Sequence, residues 1–169
     1  MKIKNLSKFI LIISLFFGSK LSAQVNMGDA GFPESNPIPC STFSNGSTPN
    51  FFDDGGSGGN YSSDYNDTIT FCPDLYEGTK VSLVYAINEG FSFDVDASDT
   101  IYVYDGPSTA SPLLGTHNST TDPNGFNYTA SWDNPSGCLT VVFISNGATV
   151  GSGWEANVSC GNINQPFEP

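Results

Sequence analysis

Acidic side chains gather in a short stretch near the middle of the chain. Asp94, Asp96 and Asp99 lie within six residues, and Asp105 follows one predicted strand later. Clustered carboxylate oxygens are ligands that Ca²⁺ prefers, and without a counter-ion they repel one another. The stretch therefore indicates a calcium site. The alternative is an ordinary loop whose carboxylates point alternately into water.

Two tyrosines follow this stretch at strand spacing. Tyr102 and Tyr104 alternate with Ile101 and Val103, so they lie on the opposite face of the predicted strand. Aromatic faces stack on sugar rings and fill protein-binding hot spots, which makes both tyrosines candidate ligand-binding residues. Burial between two sheets is the alternative. Three further aromatic residues are candidates for the surface: Trp132, Tyr61 and Tyr65.

The acidic composition narrows the class of partner. The chain has 17 Asp and Glu residues against five Lys and no Arg, and its formal net charge is −12. Four of the lysines lie before residue 24, so only Lys80 remains beyond that point. Such a surface repels phosphates and favours a cationic protein or glycan, so nucleic acid is not expected as a partner. Acidity that only keeps the protein in solution is the alternative.

Residues 1–23 have the layout of a cleavable secretory signal. Lys2, Lys4 and Lys8 precede the apolar run 9–18, and small polar residues follow up to Ala23. The run is shorter than the ~20 residues that a membrane-spanning helix needs, although an uncleaved anchor is the alternative. This predicts a secreted or cell-surface protein without stable membrane insertion.

Four cysteines follow the predicted signal. An even number in an exported chain indicates two disulfides, formed by Cys40, Cys72, Cys138 and Cys160. No pair has the close spacing of a zinc ribbon. The sequence alone leaves three pairings open.

Period-2 alternation between Gly- and Pro-rich turns predicts an all-β chain. The predicted strands cover residues 68–72, 79–87, 91–95, 100–104, 126–132, 138–145 and 153–160. Many short strands without a helical stripe favour an antiparallel sandwich or barrel. Residues 24–39 are interpreted as an irregular lead-in and 161–169 as a tail or the start of a linker.

Four motifs in order resemble the secreted bacterial type of CUB domain. They are FDDGG at 52–56 with GNYS at 59–62, DTIYVYDG at 99–106, SPLLG at 111–115, and the closing segments 139–146 and 153–156. The resemblance covers residues 40–160. It implies a jelly-roll-like sandwich of two antiparallel sheets, with the disulfides Cys40–Cys72 and Cys138–Cys160.

The resemblance also implies which residues bind calcium. The family's first acidic ligand is matched by Asp96, or less well by Asp94, and its second by Asp99. Asn146 stands where the family has a third aspartate. Loss of one negative charge weakens a Ca²⁺ site, because affinity follows the number of charged ligands.

Catalysis is not expected. His117 is the only histidine and is interpreted as a solvated loop residue, while the cysteines are expected to be paired. Two functions remain. The first is an extracellular recognition module that binds protein or glycan, with Ca²⁺ ordering its loops. The second is a structural or accessory domain of a larger secreted or surface protein, such as an adhesin or protease, with no ligand of its own.

Overall fold

The computed structural model describes residues 24–29, 37–43, 51–74, 79–85 and 92–162. The predicted signal peptide and residues 163–169 of the predicted tail lie outside these ranges. Within them, no helix has the length and apolar character needed to cross a bilayer.

Eleven strands in the described ranges form two sheets. The first sheet has the order β1 (Val25–Asn26), β3 (Phe51–Phe52), β11 (Gly153–Gly161), β5 (Lys80–Val84) and β9 (Asn127–Thr129), and β6 (Phe93–Asp94) also pairs with β11. The second has the order β2 (Ile38–Pro39), β4 (Asn66–Cys72), β10 (Leu139–Ile144), β7 (Thr100–Tyr104) and β8 (Leu113–His117). Two 3₁₀ turns, Cys40–Phe43 and Gly56–Gly58, complete the regular structure.

The predicted all-β sandwich is confirmed. The longer neighbouring strands are antiparallel, whereas the two-residue strands β1 and β2 pair in parallel with β3 and β4. Both sheets are therefore mixed and not purely antiparallel. β1 and β2 lie in the stretch 24–39 that was expected to be irregular.

Each predicted strand is present in the described ranges, and β7 has its predicted bounds. β8 was not predicted, because its sequence Leu-Leu-Gly-Thr-His does not alternate between apolar and polar residues. It joins the sheet by pairing with β7 through a register shift between Val103 and Tyr104. Such a bulge hides the period-2 signal.

The core lies between the two sheets and is rich in aromatic rings. Phe51 lies at the centre, with ring centroids 4.9 Å from Phe71, 5.7 Å from Trp154 and 6.2 Å from Tyr85. These four rings are all buried. Each large apolar side chain buried in this way stabilises the fold by roughly 1.5–3 kcal/mol.

The disulfide pairing implied by the CUB resemblance is wrong. The bonds are Cys40–Cys160 and Cys72–Cys138. Cys72 ends β4 and Cys138 precedes β10, and the register of these strands places the two cysteines opposite each other, with Cα atoms 4.2 Å apart. Cys160 lies in β11 of the other sheet, where it bonds Cys40 next to the edge strand β2.

The two disulfides therefore connect different parts of the fold. Cys72–Cys138 joins neighbouring strands within the second sheet, whereas Cys40–Cys160 links one sheet to the other. They close loops with sequence separations of 66 and 120 residues. In the chain-entropy account, loops of this length stabilise the fold by about 4 to 5 kcal/mol each.

Candidate functional site

One end of the sandwich is organised around the buried carboxylate of Asp99, which is 1% exposed. A turn places it there, because its N–H donates to the carbonyl of Asp96 at 3.0 Å. The Tyr61 hydroxyl donates to Oδ2 at 2.7 Å, and the backbone N–H of Asn146 donates to Oδ1 at 2.8 Å. Asp99 therefore ties three chain segments together.

Tyr61 is a buried part of this arrangement and not a surface aromatic, since it is only 2% exposed. Its oxygen also accepts a hydrogen bond from the backbone N–H of Asp96 at 3.0 Å. Burial, together with the hydrogen bond to Asp99, raises the pKa of Tyr61 to about 12. The phenol is thus held as a proton donor at physiological pH.

The other predicted calcium ligands have separate local partners. Asp96 Oδ1 accepts hydrogen bonds from the Ser98 backbone N–H at 3.0 Å and the Ser98 hydroxyl at 2.6 Å, which lower the pKa of Asp96. Asp94 Oδ2 accepts hydrogen bonds from the backbone N–H and hydroxyl of Ser152, at 2.9 and 3.0 Å. In the part of the chain that the structure describes, no three His, Cys, Asp or Glu side chains are grouped to hold a metal.

The residues predicted to bind calcium also form hydrogen bonds within the protein. Each oxygen of the buried Asp99 carboxyl group accepts one of these hydrogen bonds. The Asn146 side chain uses its Oδ1 to accept from Ala148 N at 2.8 Å and directs its Nδ2 to Ser98 O at 3.4 Å. Ca²⁺ takes about 6–8 oxygens, and an oxygen that accepts one hydrogen bond keeps a second lone pair for a cation.

The second candidate region is the outer face of the second sheet. Ile101 and Val103 of β7 are buried, whereas Tyr102 and Tyr104 lie half-buried on the opposite side. Strand register therefore defines the outer face, which consists of Thr70, Thr140, Tyr104, Leu113, Thr68, Val142, Tyr102, Thr116, Asn66, Ile144 and Thr100.

The outer face carries no charged residue, although the chain has 17 acidic residues. Leu113 is 51% exposed and Ile144 is 40% exposed. The Thr140 hydroxyl lies 2.9 Å from that of Thr70 and 2.9 Å from the carbonyl of Gly106. Thr70 and Thr140 are themselves buried, so the accessible part of the face is formed mainly by the two tyrosine rings, Leu113 and Ile144.

A third region is the Trp132 loop, residues 131–136. Lys80, 7% exposed, lies beneath it and donates from Nζ to the carbonyls of Ser131 at 2.6 Å, Trp132 at 3.3 Å and Asn134. This role of Lys80 was not predicted. Its position as the one lysine after residue 23, at the start of an alternating strand, was the available signal.

His117 is not the solvated loop residue that was expected. It ends β8 and is 7% exposed. Its Nδ1 lies 2.8 Å from Asp122 Oδ2, its Nε2 lies 3.0 Å from the Tyr128 hydroxyl, and its ring stacks on Phe126 at 3.7 Å. Nε2 therefore connects β8 to β9, while Nδ1 connects β8 to the loop between these two strands.

Comparisons with known proteins give no further assignment. No family model matches this chain, and no curated protein is significantly similar to it.

Proposed function

We propose that this chain is an extracellular, non-catalytic recognition module that binds protein or glycan through the outer face. One observation carries the proposal. Tyr102 and Tyr104 lie beside the exposed Leu113 and Ile144 on a face without charge, in a protein that is otherwise strongly acidic.

The chemistry of the outer face supports binding. Tyrosine is enriched among residues that dominate binding energy, and removing an uncharged surface from water costs less than removing a charged one. Sheet residues are already fixed by pairing, so little conformational entropy is lost when a partner is bound. The surrounding acidity repels anionic molecules and favours a neutral or cationic partner.

The disulfides support an extracellular location. Both pairs are bonded across distant parts of the chain, and such bonds persist in oxidising compartments. The signal-like residues 1–23 are consistent with export of the chain. The four motifs also resemble CUB domains, a family whose usual role is binding, and this resemblance supports the proposed binding function.

Calcium enters this proposal only as an ion that orders the loops around Asp96, Asp99 and Asn146. Calorimetric titration of residues 24–169 with Ca²⁺ tests it, with Asp99→Asn as the variant. Saturable binding heat that is seen with wild type and lost in Asp99→Asn supports a bound ion. If wild type gives no binding heat up to millimolar Ca²⁺, calcium has no part in the proposed function.

Binding through the outer face is tested with the double variant Tyr102→Thr/Tyr104→Thr, which keeps β-forming side chains. Val84→Thr, a half-buried valine on the other sheet, is the matched control. Wild type, double variant and control are screened against arrays of neutral and charged glycans and against displayed extracellular proteins.

We expect a partner that binds wild type and Val84→Thr alike and binds the double variant at least about tenfold more weakly. Equal binding by the double variant, or no binder for wild type, contradicts the proposal. That result favours the second candidate, a structural or accessory domain of a larger secreted or surface protein.

A further inference from the structure

We infer that a cavity between residues 105–112 and the Trp132 loop is a separate binding site for one or two sugar units of a neutral glycan. Its volume is about 380 Å³. That lies in the lower part of the range of roughly 300–1,000 Å³ typical of small-ligand sites. This site is distinct from the outer face and does not depend on the function proposed for that face.

The polar groups at the cavity suit the hydroxyls of a sugar. Three prolines line the cavity. Carboxylate, amide and hydroxyl side chains line it as well, from Asp105, Asp133, Asn134, Ser111, Ser131 and Ser136. A sugar hydroxyl both donates and accepts, so it needs partners of both kinds. Carboxylates accept, serine hydroxyls do both, and prolines provide apolar walls for the ring carbons.

The walls of the cavity are held in place before any ligand binds. Asp105 Oδ1 accepts hydrogen bonds from the backbone N–H of Ser131 at 3.1 Å and from Asn134 Nδ2 at 2.7 Å. Lys80 holds the same loop from beneath through three of its carbonyls. A fixed site binds more tightly because ordering its loops costs nothing further.

Gly137 sets the end of the loop. Its φ is +65°, and a Cβ there would lie 2.0 Å from the carbonyl oxygen of Thr79. Only glycine combines this backbone conformation with so close an approach. The chain after Ser136 is therefore fixed against β5.

Trp132 adds an exposed ring to this fixed loop. It is 47% exposed and lies between Ser131 and Asp133, which both line the cavity. The ring does not line the cavity itself, so it would contact the part of a bound glycan that extends over the loop. The flat face of an indole ring suits the apolar face of a pyranose.

The local charge favours a neutral sugar over an anionic one. Asp105 and Asp133 border the cavity, and the ammonium group of Lys80 is occupied beneath the loop. Sulfated, phosphorylated or carboxylated sugars would meet these carboxylates with the same sign of charge. A simple amine would be attracted to these carboxylates and to the indole face, so an amine is included among the competitors in the test below.

The two tryptophans make the test direct. Trp154 is 1% exposed in the core, so quenching of tryptophan emission by acrylamide reports mainly on Trp132. Neutral oligosaccharides based on glucose, mannose, galactose, xylose and N-acetylglucosamine are the probes. The charged competitors are sialylated and sulfated oligosaccharides, which are anionic, and lysine methyl ester, which is cationic.

We expect at least one neutral oligosaccharide to shield tryptophan emission saturably, while the anionic sugars and the amine do not. In calorimetry, Trp132→Ala and Asp133→Ala should each weaken that binding at least about tenfold, and both side chains are exposed, so the fold should survive. Tyr102→Thr/Tyr104→Thr should bind the same sugar as wild type does, which separates this site from the outer face.

Three outcomes overturn the inference. They are the absence of any neutral sugar that shields the ring, shielding by the amine or an anionic sugar alone, and unchanged sugar affinity in folded Trp132→Ala and Asp133→Ala.

Discussion

The Tyr61 hydroxyl oxygen lies 2.7 Å from Oδ2 of Asp99, deep at one end of the sandwich. The same oxygen accepts the backbone N–H of Asp96, and the other oxygen of Asp99 accepts the N–H of Asn146. A single phenol–carboxylate pair therefore connects the segment after β3, the turn before β7 and the turn after β10.

Removing the Tyr61 hydroxyl should destabilise the fold. In Tyr61→Phe, one oxygen of a buried carboxylate and one backbone N–H lose their partner, which costs about 1–3 kcal/mol in the free energy of unfolding. Urea denaturation measures the difference. Tyr102→Phe on the outer face is the control and should change stability little. A Tyr61→Phe variant as stable as wild type would show that this hydrogen bond contributes nothing.

Removing the Tyr85 hydroxyl should have the opposite effect. Tyr85 is fully buried, and its hydroxyl has no hydrogen-bond partner in the described part of the chain. Tyr85→Phe removes that polar atom from the core and should raise the free energy of unfolding by about 1 kcal/mol. Thermal unfolding measures it.

Tyr65→Phe is the matched control for Tyr85→Phe, because the Tyr65 hydroxyl has a partner, Asp67 Oδ2, at 3.2 Å. This variant should be slightly less stable than wild type. If both substitutions shift the melting temperature in the same direction, the presence of a hydrogen-bond partner does not determine whether removing the hydroxyl stabilises or destabilises the fold.

Asp53 should make stability depend on pH. Burial raises the pKa of Asp53 to about 6 from 3.8, against the lowering effect of hydrogen bonds from the backbone N–H groups of Trp154 and Gly55. Because the folded pKa is the higher one, the stabilising contribution is complete below about pH 4 and is lost as pH rises through about 6. Between about pH 5 and pH 7.5 the free energy of unfolding should fall by about 1–2 kcal/mol.

Carboxyl ¹³C titration by NMR measures the Asp53 pKa directly, and urea denaturation at both pH values measures the loss. Asp53→Asn should flatten the dependence, whereas Asp133→Asn, at an exposed aspartate, should retain it. A titration midpoint of Asp53 near 4 would contradict the prediction.

The disulfide pairing can be read directly from the protein. Proteolysis without reduction followed by mass spectrometry should give linked peptides containing Cys40 with Cys160 and Cys72 with Cys138. The double variant Cys72→Ala/Cys138→Ala should lose about 2–5 kcal/mol of stability. A peptide linking Cys138 to Cys160 would restore the pairing that the CUB resemblance implies.

Strands with strict alternation were predictable from the sequence, and long-range pairing was not. The bounds of β7 were predicted from the alternation of Ile101 and Val103 with Tyr102 and Tyr104, because the period-2 signal is local. The disulfide pairing depends on which sheet each strand joins. Nothing near Cys138 in the sequence shows that β10 and β11 belong to different sheets.

The arrangement of the candidate sites was also only partly predictable from the sequence. The resemblance assigned Asp99 and Asn146 to one site, and the two residues are joined by a hydrogen bond. It did not show that Asp94 and Asp96 would be held by serines, because these hydrogen bonds depend on the exact turn geometry. The pairing of His117 with Asp122 required β8, whose sequence carries no strand pattern.

The Cys40–Cys160 bond has a mechanical consequence. Tension applied to the chain before Cys40 and after Cys160 passes through this covalent bond, because the two cysteines lie on opposite sides of the loop it closes. The strands from β3 through β11 as far as Cys160 then carry no load, and the hydrogen bonds among them cannot be pulled apart from the ends. The domain would stay folded under forces that unravel an uncrosslinked sandwich, and the outer face and the Trp132 loop would keep their shape.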